Sequence, residues 1–357
     1  MIIGGFLGAG KTTAIRALGK LLTRQGQTVA VITNDQAAGL VDTAFLKGSG
    51  LAAREVAGSC FCCNFDGLLE AVTKSIEDGW PDVILAEPVG SCTDLVATVI
   101  RPMLSLEGER LKPLAYSVLM EPRRWRELKE KDGDGISSMK FLFNNQLEEA
   151  DFIIITKSDT LDKDELDDLS DEVAHRYPNA RVLTISAFEG TGLEKWLDLV
   201  KTTQPGEMYL KEIDYDQYAR AEADMGWLNA RVSAHFAEPI DGNSFAVWIA
   251  DELKKGVCDR NGYIGNLKIL AAEESGCVKC GMSLVEGKAM LDGRFPGTLA
   301  ALEVTVNVRA TVSPDALISI MQSTMTSIKA KGGVKAEISY LNTFRPSPPN
   351  PTYRYNE

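Results

Sequence analysis

Short apolar runs alternate with amphipathic stretches through roughly the first 200 residues. Spacing typical of helices occurs at residues 12–24, 68–76 and 140–149, and near-continuous apolar runs lie between them. Such runs are typical of strands buried on both faces. The alternation predicts an α/β domain with a mostly parallel sheet and helices on both faces. The predicted strands are residues 1–4, 29–33, 83–86, 152–156 and 181–185.

The pattern changes near residues 202–224, which are polar and acidic. After this stretch, strands and helices predict a smaller α+β domain that is ferredoxin-like, with an open sheet and two helices on one face. A chain of 357 residues is comfortable for two domains. We therefore predict a first domain over 1–203, a linker over 204–224, a second domain over 225–343 and a loose Pro-rich tail over 344–357. The predicted elements of the second domain are strands 227–237, 263–271, 299–310 and 334–341 and helices 244–255 and 315–331.

Charge and composition exclude several classes of protein. The net charge of −12 argues against nucleic acid or an anionic membrane as the main partner. An apolar stretch of the ~18 residues that a membrane helix needs is absent from the sequence, and too few residues precede Gly5 for a signal peptide. The seven cysteines are an odd number in tight clusters, which indicates a reducing compartment. We expect a cytoplasmic protein.

The segment GFLGAGKT, residues 5–12, follows the first predicted strand and opens the first predicted helix. Glycines let backbone N–H groups wrap phosphates, and the helix N-terminus adds positive potential. Lys11 is expected to reach the β- and γ-phosphates, and Thr12 to place its hydroxyl on Mg²⁺. This pattern predicts a P-loop NTPase fold. The predicted phosphate-binding residues are Gly5, Gly8, Ala9, Gly10, Lys11, Thr12 and Thr13.

Three further segments follow predicted strands, at the edge where ligands bind in open α/β sheets. Glu87 can hold Mg²⁺, and the N–H of Gly90 can sense the γ-phosphate. Asp159 can accept two N–H bonds from guanine N1 and N2, a pair that adenine lacks, so it favours GTP over ATP. Asp35 has three open roles: an Mg²⁺ contact, a ligand of a second metal, or the positioning of the attacking water. The other predicted guanine-binding residues are Thr156, Lys157, Ser186 and Ala187.

Cys60, Cys62 and Cys63 lie together before a predicted helix, where the helix N-terminus is expected to lower their pKa values. Three thiolates suit a soft cation, Zn²⁺ foremost, with Co²⁺, Ni²⁺ or Fe²⁺ as alternatives. A fourth position left open, or filled by a carboxylate, fits a site that releases its metal. The alternative is a cluster of inert or redox-sensing thiols. Cys92 is either a further ligand or a small buried residue.

A second pair, Cys277 and Cys280, has the Cys-x-x-Cys spacing of half a zinc site. One pair without a partner pair is a weak signal, and a solvent-facing turn without metal explains it as well. It is therefore a possible second metal site. With two histidines in the chain, a His-rich metal store is excluded.

Taken together, the segments at 4–13, 60–63, 87–90, 146–159 and 186–193 resemble the CobW/HypB/UreG GTPases, and the Cys-x-Cys-Cys resembles the CobW-like branch most. The resemblance covers most of residues 1–200 and extends loosely over 225–343. It implies a GTP-driven metallochaperone or metalloenzyme-assembly factor. Thr156 stands where the family more often has Asn, which is expected to cost rigidity in the guanine loop.

The sequence predicts a GTPase in which the nucleotide state gates a transition metal at the Cys-x-Cys-Cys loop. A client metalloenzyme or cofactor-dependent protein is the expected partner, docked by the second domain, and a homodimer is possible. The first alternative is a GTPase chaperone that loads or repairs a corrinoid or other metallocofactor enzyme without carrying metal. The second is a nucleotide-responsive thiol or metal sensor.

Overall fold

A computed structural model describes residues 1–36, 41–203, 212–274, 276–283 and 287–355. The strands of the first domain are β1 (Ile3–Gly5), β2 (Val29–Asp35), β3 (Ala52–Ala57), β4 (Val83–Glu87), β5 (Ser117–Met120), β6 (Phe152–Ile155) and β7 (Arg181–Thr184). Parallel strands in the order β3-β2-β4 join the parallel strands β1-β5-β6-β7 through a bridge between Ile2 and Ala86. This confirms the predicted parallel α/β domain.

Helices cover this sheet and bury two apolar clusters against it, one around Phe65 and Val118 and the other around Leu18 and Trp196. A π-helical turn, Val96–Ile100, leads into the fourth helix. Two strands, β3 and β5, were missed in the sequence, and β3 carries the charged residues Arg54 and Glu55. The helices are α1 (Lys11–Arg24), α2 (Val41–Gly48), α3 (Phe65–Gly79), α4 (Arg101–Glu107), α5 (Pro122–Glu130), α6 (Asp134–Glu148), α7 (Lys163–Arg176), α8 (Leu193–Thr202) and α9 (Tyr215–Ala223).

The elements of the second domain are β8 (Gly226–Asp241), α10 (Gly242–Cys258), β9 (Ile264–Glu273), β10 (Gly276–Met282), β11 (Met290–Asp292), β12 (Thr298–Ala310), α11 (Pro314–Ala330) and β13 (Val334–Phe344). The strands form one antiparallel sheet in the order β11-β10-β9-β12-β8-β13, in which β9, β12, β8 and β13 with helices α10 and α11 form the βαββαβ unit of the predicted ferredoxin-like fold. The hairpin of β10 and β11 extends this sheet at one edge and was missed in the sequence.

The two faces of the second sheet differ in chemistry. Alternate residues such as Leu267, Ile269 and Val308 pack with α10 and α11 in one apolar core. The opposite set is polar and still buried, because this face lies against the first domain. It includes Asn229, Asn266, Lys279, Asn307 and Arg309.

The predicted linker contains helix α9, whose Tyr218 and Glu222 are buried against the first domain. Residues 204–211 of that linker lie outside the described residues, so the domain bounds stay a prediction. Among the helices of the described residues, none is long and apolar enough to cross a membrane.

The prediction of a loose tail was wrong for residues 345–355. The backbone N–H of Thr352 donates to Cys62 O at 2.8 Å, and that of Tyr355 donates to Ala97 O at 3.0 Å. Arg354 pairs with the buried Asp94 at 2.8 Å. Proline-rich composition says that a segment cannot build a core of its own, but it does not prevent extended backbone from docking on another surface. We call residues 345–355 the strap.

Candidate nucleotide and metal site

The P-loop connects the buried β1 to the first turn of α1. Gly8 and Gly10 have φ values of +82° and +90°, a conformation that favours glycine over other residues. The Lys11 ammonium is buried and donates to Gly5 O at 2.7 Å. Burial lowers the pKa of Lys11 to about 8, although Glu87 opposes the shift. The loop therefore has the backbone geometry and the lysine that a phosphate site requires.

Two carboxylates approach the Thr12 hydroxyl. Its Oγ1 lies 2.8 Å from Asp42 Oδ1 and 3.1 Å from Glu87 Oε1. Burial raises the pKa of Glu87, and its Oε2 is buried without a hydrogen-bond partner in the described chain. A hydroxyl and two carboxylates, one of which has a buried oxygen without a partner, form a donor set that Mg²⁺ prefers.

Asp35 is not placed on Thr12. It lines a small cavity with Asp42 and Glu87, but its carboxylate accepts from Arg309 Nη2 of the second domain at 3.0 Å. A magnesium contact was one of the roles expected of Asp35, whereas the structure puts Asp42 in hydrogen-bond contact with Thr12. Asp42 is an acidic residue in the segment after β2, and no local pattern indicates which carboxylate of that segment reaches α1.

The guanine end of the site is an open cavity of about 200 Å³ that continues from the P-loop. Thr156 Oγ1 donates to Ala9 O at 2.9 Å, so this threonine ties the guanine loop to the P-loop. Lys157 has left-handed backbone (φ +56°), and the exposed Asp159 lines the cavity. Ala187 also lines it.

The neighbouring Ser186 differs from its prediction in one respect. Its backbone N–H already donates to Thr191 O at 3.1 Å, and its hydroxyl accepts from Glu189 N. Ala187 is therefore the better placed of the two to offer an N–H to a base.

Gly90 lies where a γ-phosphate sensor is expected. A Cβ built on Gly90 would come within 3.0 Å of Lys11 Nζ and 2.8 Å of a Leu7 methyl group. The amide of Gln146 donates to Gly90 O at 3.0 Å and to Cys92 O at 2.7 Å. One buried side chain thus fixes the whole turn from the phosphate end of the site to Cys92.

The three predicted cysteines do converge. Sγ of Cys62 lies 2.8 Å from that of Cys60 and 3.8 Å from that of Cys63, and all three fall within 4.8 Å of one another. They immediately precede α3, whose first turn is capped by the Asn64 side chain. The predicted metal ligands therefore share one site at a helix N-terminus.

Asn34, at the end of β2, holds the cysteine loop in place. Its Nδ2 donates to Val56 O at 2.8 Å and to Ser59 O at 2.7 Å, and its Oδ1 accepts from Phe61 N at 2.8 Å. No sequence motif indicates this role for Asn34. A buried amide that satisfies three backbone groups is visible only in the fold.

The thiols do not ionise alike. Hydrogen bonds from Cys62, Cys63 and Cys92 hold the pKa of Cys60 well below its usual value. Hydrogen bonding with Cys60, together with burial, raises the pKa values of Cys62 and Cys92, and raises that of Cys63 to about 11. The expectation that the helix N-terminus would lower the pKa values of all three thiols is therefore corrected, since among the three the pKa of Cys60 alone is lowered.

The strap crosses the cysteine loop. The backbone N–H of Asn350 donates to Cys63 Sγ at 3.1 Å, and Tyr353 packs edge-on against Phe65. A cavity of about 400 Å³ remains between the strap and the loop, lined by Cys60, Cys63 and Glu222 among others. The thiols are thus partly covered by backbone from the end of the described chain.

The possible second metal site is not assembled. Cys277 and Cys280 are both in β10, where residues three apart face opposite sides of the sheet. Cys277 packs near Phe45 of α2, whereas Cys280 is in the core of the second domain. Extended backbone, rather than the predicted turn, separates the pair.

A family comparison decides the kinship of this fold. Residues 1–184 match the model of the CobW/HypB/UreG nucleotide-binding domain. The chain belongs to the CobW/HypB/UreG family. The P-loop, Glu87, Thr156–Asp159 and the cysteine loop all lie inside the matched region, so the features built above belong to this family's domain.

Curated relatives each align with a little under half of the chain. The zinc chaperone CobW of Sinorhizobium sp is 31% identical over 198 residues, which cover 49% of this chain and 55% of the relative. The zinc chaperone YeiR of Escherichia coli strain K12 is 31% identical over 167 residues, covering 44% and 46%. The chain spans about half the length of the curated relatives it matches.

Among solved structures, HypB from Helicobacter pylori in complex with nickel covers 59% of this chain and 90% of its own, with 16% identity and a TM-score of 0.41. The fold of the first domain is established by its own strand order and by the match to the CobW/HypB/UreG family.

Proposed function

We propose that this chain binds and hydrolyses GTP·Mg²⁺ and carries a transition metal at Cys60, Cys62 and Cys63, as a metallochaperone. The main support is that the nucleotide site and the cysteine loop are both connected to β2 and the segment that follows it. Asn34 ties the cysteine loop to the end of β2, and the segment after β2 leads to Asp42 on Thr12. A change in the nucleotide site therefore has a short physical route to the thiols.

At the nucleotide, Lys11 and the P-loop amides would hold the phosphates. Thr12, Glu87 and Asp42 would hold Mg²⁺, with Asp42 in place of Asp35 because it is already hydrogen-bonded to Thr12. Asp159 would select guanine by accepting from N1 and N2. The bound Mg²⁺ would neutralise charge that develops on the phosphates during hydrolysis, and slow intrinsic turnover is expected.

At the thiols, zinc is the proposed cargo, since three sulfur ligands suit it and curated relatives are named zinc chaperones. Co²⁺, Ni²⁺ and Fe²⁺ are the competing cargoes. Three protein ligands leave one coordination position open, which suits transfer to a client. We further propose a cytoplasmic protein whose second domain docks a client metalloenzyme or cofactor-dependent protein.

The test is a competition titration with Zn²⁺ and Co²⁺ against a chelator. The reduced, metal-free protein is supplied with Mg²⁺, with and without a non-hydrolysable GTP analogue, and a Cys60/Cys62/Cys63→Ser variant is the control. We expect the analogue to change metal affinity several-fold and the variant to lose the site, because the two ligands would then share a coupling free energy. Equal affinity with and without the analogue would reject gating and favour a chaperone that carries no metal.

GTP hydrolysis is tested separately, with multiple-turnover phosphate release by the wild type and by Lys11→Ala. We expect a slow rate that the substitution abolishes, since the lysine contacts the phosphates. A wild-type protein with no turnover would leave only a nucleotide-responsive sensor.

A further inference from the structure

The polar face of the second sheet supplies cations to the nucleotide site of the first domain. Lys268 of β9 and Lys279 of β10 both line the same cavity as Gly8, Lys11 and Thr12. Both lysines are largely buried, with side chains 18% and 9% exposed. A charged lysine is rarely buried without an anionic partner, so an anion is expected beside Lys268 and Lys279.

In the structure, the two lysines share one carboxylate. Lys268 Nζ lies 2.5 Å from Asp42 Oδ2, and Lys279 Nζ lies 3.0 Å from Asp42 Oδ1. Burial alone would raise the pKa of Asp42, but the two ammonium groups hold it far below its usual value. The same Asp42 also contacts Thr12, the P-loop hydroxyl.

The cluster has more positive than negative charge. Lys11, Lys268 and Lys279 face the two carboxylates Asp42 and Glu87, while Arg309 and Asp35 form a separate matched pair. A buried excess of positive charge is costly unless an anion joins it.

A purely structural interface does not account for this arrangement. Elsewhere in the same interface, cations pair with one carboxylate or with neutral carbonyl groups. The one-to-one ion pairs are Arg309 with Asp35 and Arg16 with Asp292. Arg124 donates across it to the carbonyl oxygens of Ile264 and Gly265. Ammonium groups outnumber carboxylates where the cavity meets the P-loop, on the side of Gly90 and Thr12 on which a terminal phosphate would lie.

We propose that Lys268 and Lys279 contact the terminal phosphate of bound GTP, so that the second domain reads the nucleotide directly. This inference rests on the proposed function and adds the residues that distinguish GTP from GDP. When Mg²⁺ and GTP occupy the site, Asp42 would stay beside Thr12 and turn from the lysines to the metal, and the lysines would exchange Asp42 for γ-phosphate oxygens. With GDP, they stay paired with Asp42.

The exchange connects nucleotide state to domain contact. Asp42 lies in the first turn of helix α2, and α2 packs through Val41 and Phe45 against Leu270 of β9. Lys279 also lies over the Phe45 ring, 4.9 Å from its centre. A shift of Asp42 between lysines and Mg²⁺ would therefore move or release α2 on the second sheet.

The experiment measures Kd for GDP and for a non-hydrolysable GTP analogue in the presence of Mg²⁺. The variants are Lys268→Met and Lys279→Met, which keep the aliphatic stem, with Lys268→Arg and Lys279→Arg to restore charge. Lys335→Ala, an exposed lysine of β13, is the control. We expect each Met variant to lose about tenfold to a hundredfold in affinity for the analogue, the range for a charged hydrogen bond, with GDP changed less than about threefold.

An unchanged ratio of the two affinities, or an equal loss for both nucleotides, would overturn the inference and leave nucleotide binding intact as a proposal. A wild-type protein that binds neither nucleotide would overturn both. Hydrogen exchange on the wild type gives an answer even where a Met variant fails to fold. Peptides from β9 and β10 should exchange more slowly with the GTP analogue than with GDP, and equal exchange would contradict the contact.

Discussion

At the scale of single residues, the site depends on side chains whose partners lie far away in sequence. Gln146 ties Gly90 to Cys92 through two carbonyl oxygens, and Asn34 satisfies three backbone groups around the cysteine loop. Such buried amides contribute because an unpaired buried carbonyl or N–H is costly. They set the geometry of the proposed phosphate sensor and of the proposed metal loop, and they have no role in the proposed chemistry.

Base selection is expected to depend on Asp159. Asp159→Ala should weaken GTP binding about tenfold to a hundredfold, because two hydrogen bonds to a carboxylate are lost, while weak ATP binding stays unchanged. Asp159→Asn is the matched control of equal shape, and it should shift preference toward xanthosine nucleotides, whose C2 oxygen accepts from an amide. Fluorescent-nucleotide displacement measures all three, and equal losses for GTP and ATP would contradict the assignment.

Glu149 predicts a pH dependence of stability. It accepts from Val96 N and Thr93 Oγ1, and burial raises its pKa to about 8 from 4.5. The folded state thus keeps a proton that the unfolded state releases, so this contribution is full below about pH 4.5 and is lost as pH rises toward 8. The slope reaches at most about 1.4 kcal/mol per pH unit.

Urea unfolding of Glu149→Gln at several pH values tests this. The variant keeps an acceptor but has no proton to lose, so its stability relative to wild type should increase between pH ~5 and ~8. Glu130→Gln, an exposed residue of α5, is the control and should stay parallel to wild type. Parallel curves for the Glu149 variant would show that its carboxyl is ionised in the folded state.

At the scale of elements, the strap is the least expected feature. Its polar, Pro-rich composition carries no periodicity, yet its backbone N–H groups find acceptors on the cysteine loop and on the π-helical turn. The hydrogen bond from Asn350 N to Cys63 Sγ is a direct contact with a proposed ligand. The strap therefore covers the cysteine loop. We expect it to slow the exchange of a metal bound there.

Asn350→Pro removes that N–H and is expected to accelerate loss of bound Zn²⁺ to a chelator several-fold, because Cys63 loses its donor. Asn350→Ala keeps the N–H and is the matched control, which should release metal at the wild-type rate. Stopped-flow chelation measures both. Identical rates for the Pro and Ala variants would mean that the strap does not retain metal.

At the scale of the whole molecule, the two domains meet through a polar sheet face rather than an apolar one. Arg124 of α5 is buried and donates to carbonyl oxygens of Ile264, Gly265 and Ser283, while it pairs with Glu127. A polar interface suits domains that must shift with ligand, since matched charges can re-pair. Arg124 is its most deeply buried cation.

Arg124→Met should destabilise the protein by about 3–5 kcal/mol, because it removes the buried cation that pairs with Glu127 and leaves three carbonyl oxygens without the Arg124 donor. Arg126→Met on the same helix removes an exposed pair with Glu165 and should cost less than about 1 kcal/mol. Urea unfolding measures both, and limited proteolysis should show the Arg124 variant cut between the domains first. Equal costs for the two variants would refute the role of Arg124 as an interdomain tie.

The sequence by itself determined the elements whose chemistry is local. The P-loop, Glu87 to Gly90, Thr156 to Asp159 and the three clustered cysteines each lie within a few residues, and each directly follows a predicted strand or precedes a helix. Parallel strands bring such loops to one edge whatever joins them. The α/β order of the first domain and the ferredoxin-like unit of the second were predicted from the local periodicity of apolar residues, which depends on neighbouring positions in the sequence.

Only the tertiary structure decided which distant groups meet. It put Asp42 rather than Asp35 on Thr12, separated Cys277 from Cys280 across a strand, and brought Lys268 and Lys279 to the P-loop from more than 200 residues away in sequence. Charged residues on a strand carry no mark of the face that will cover them. Their partners are set by the packing of two domains, which no local pattern encodes.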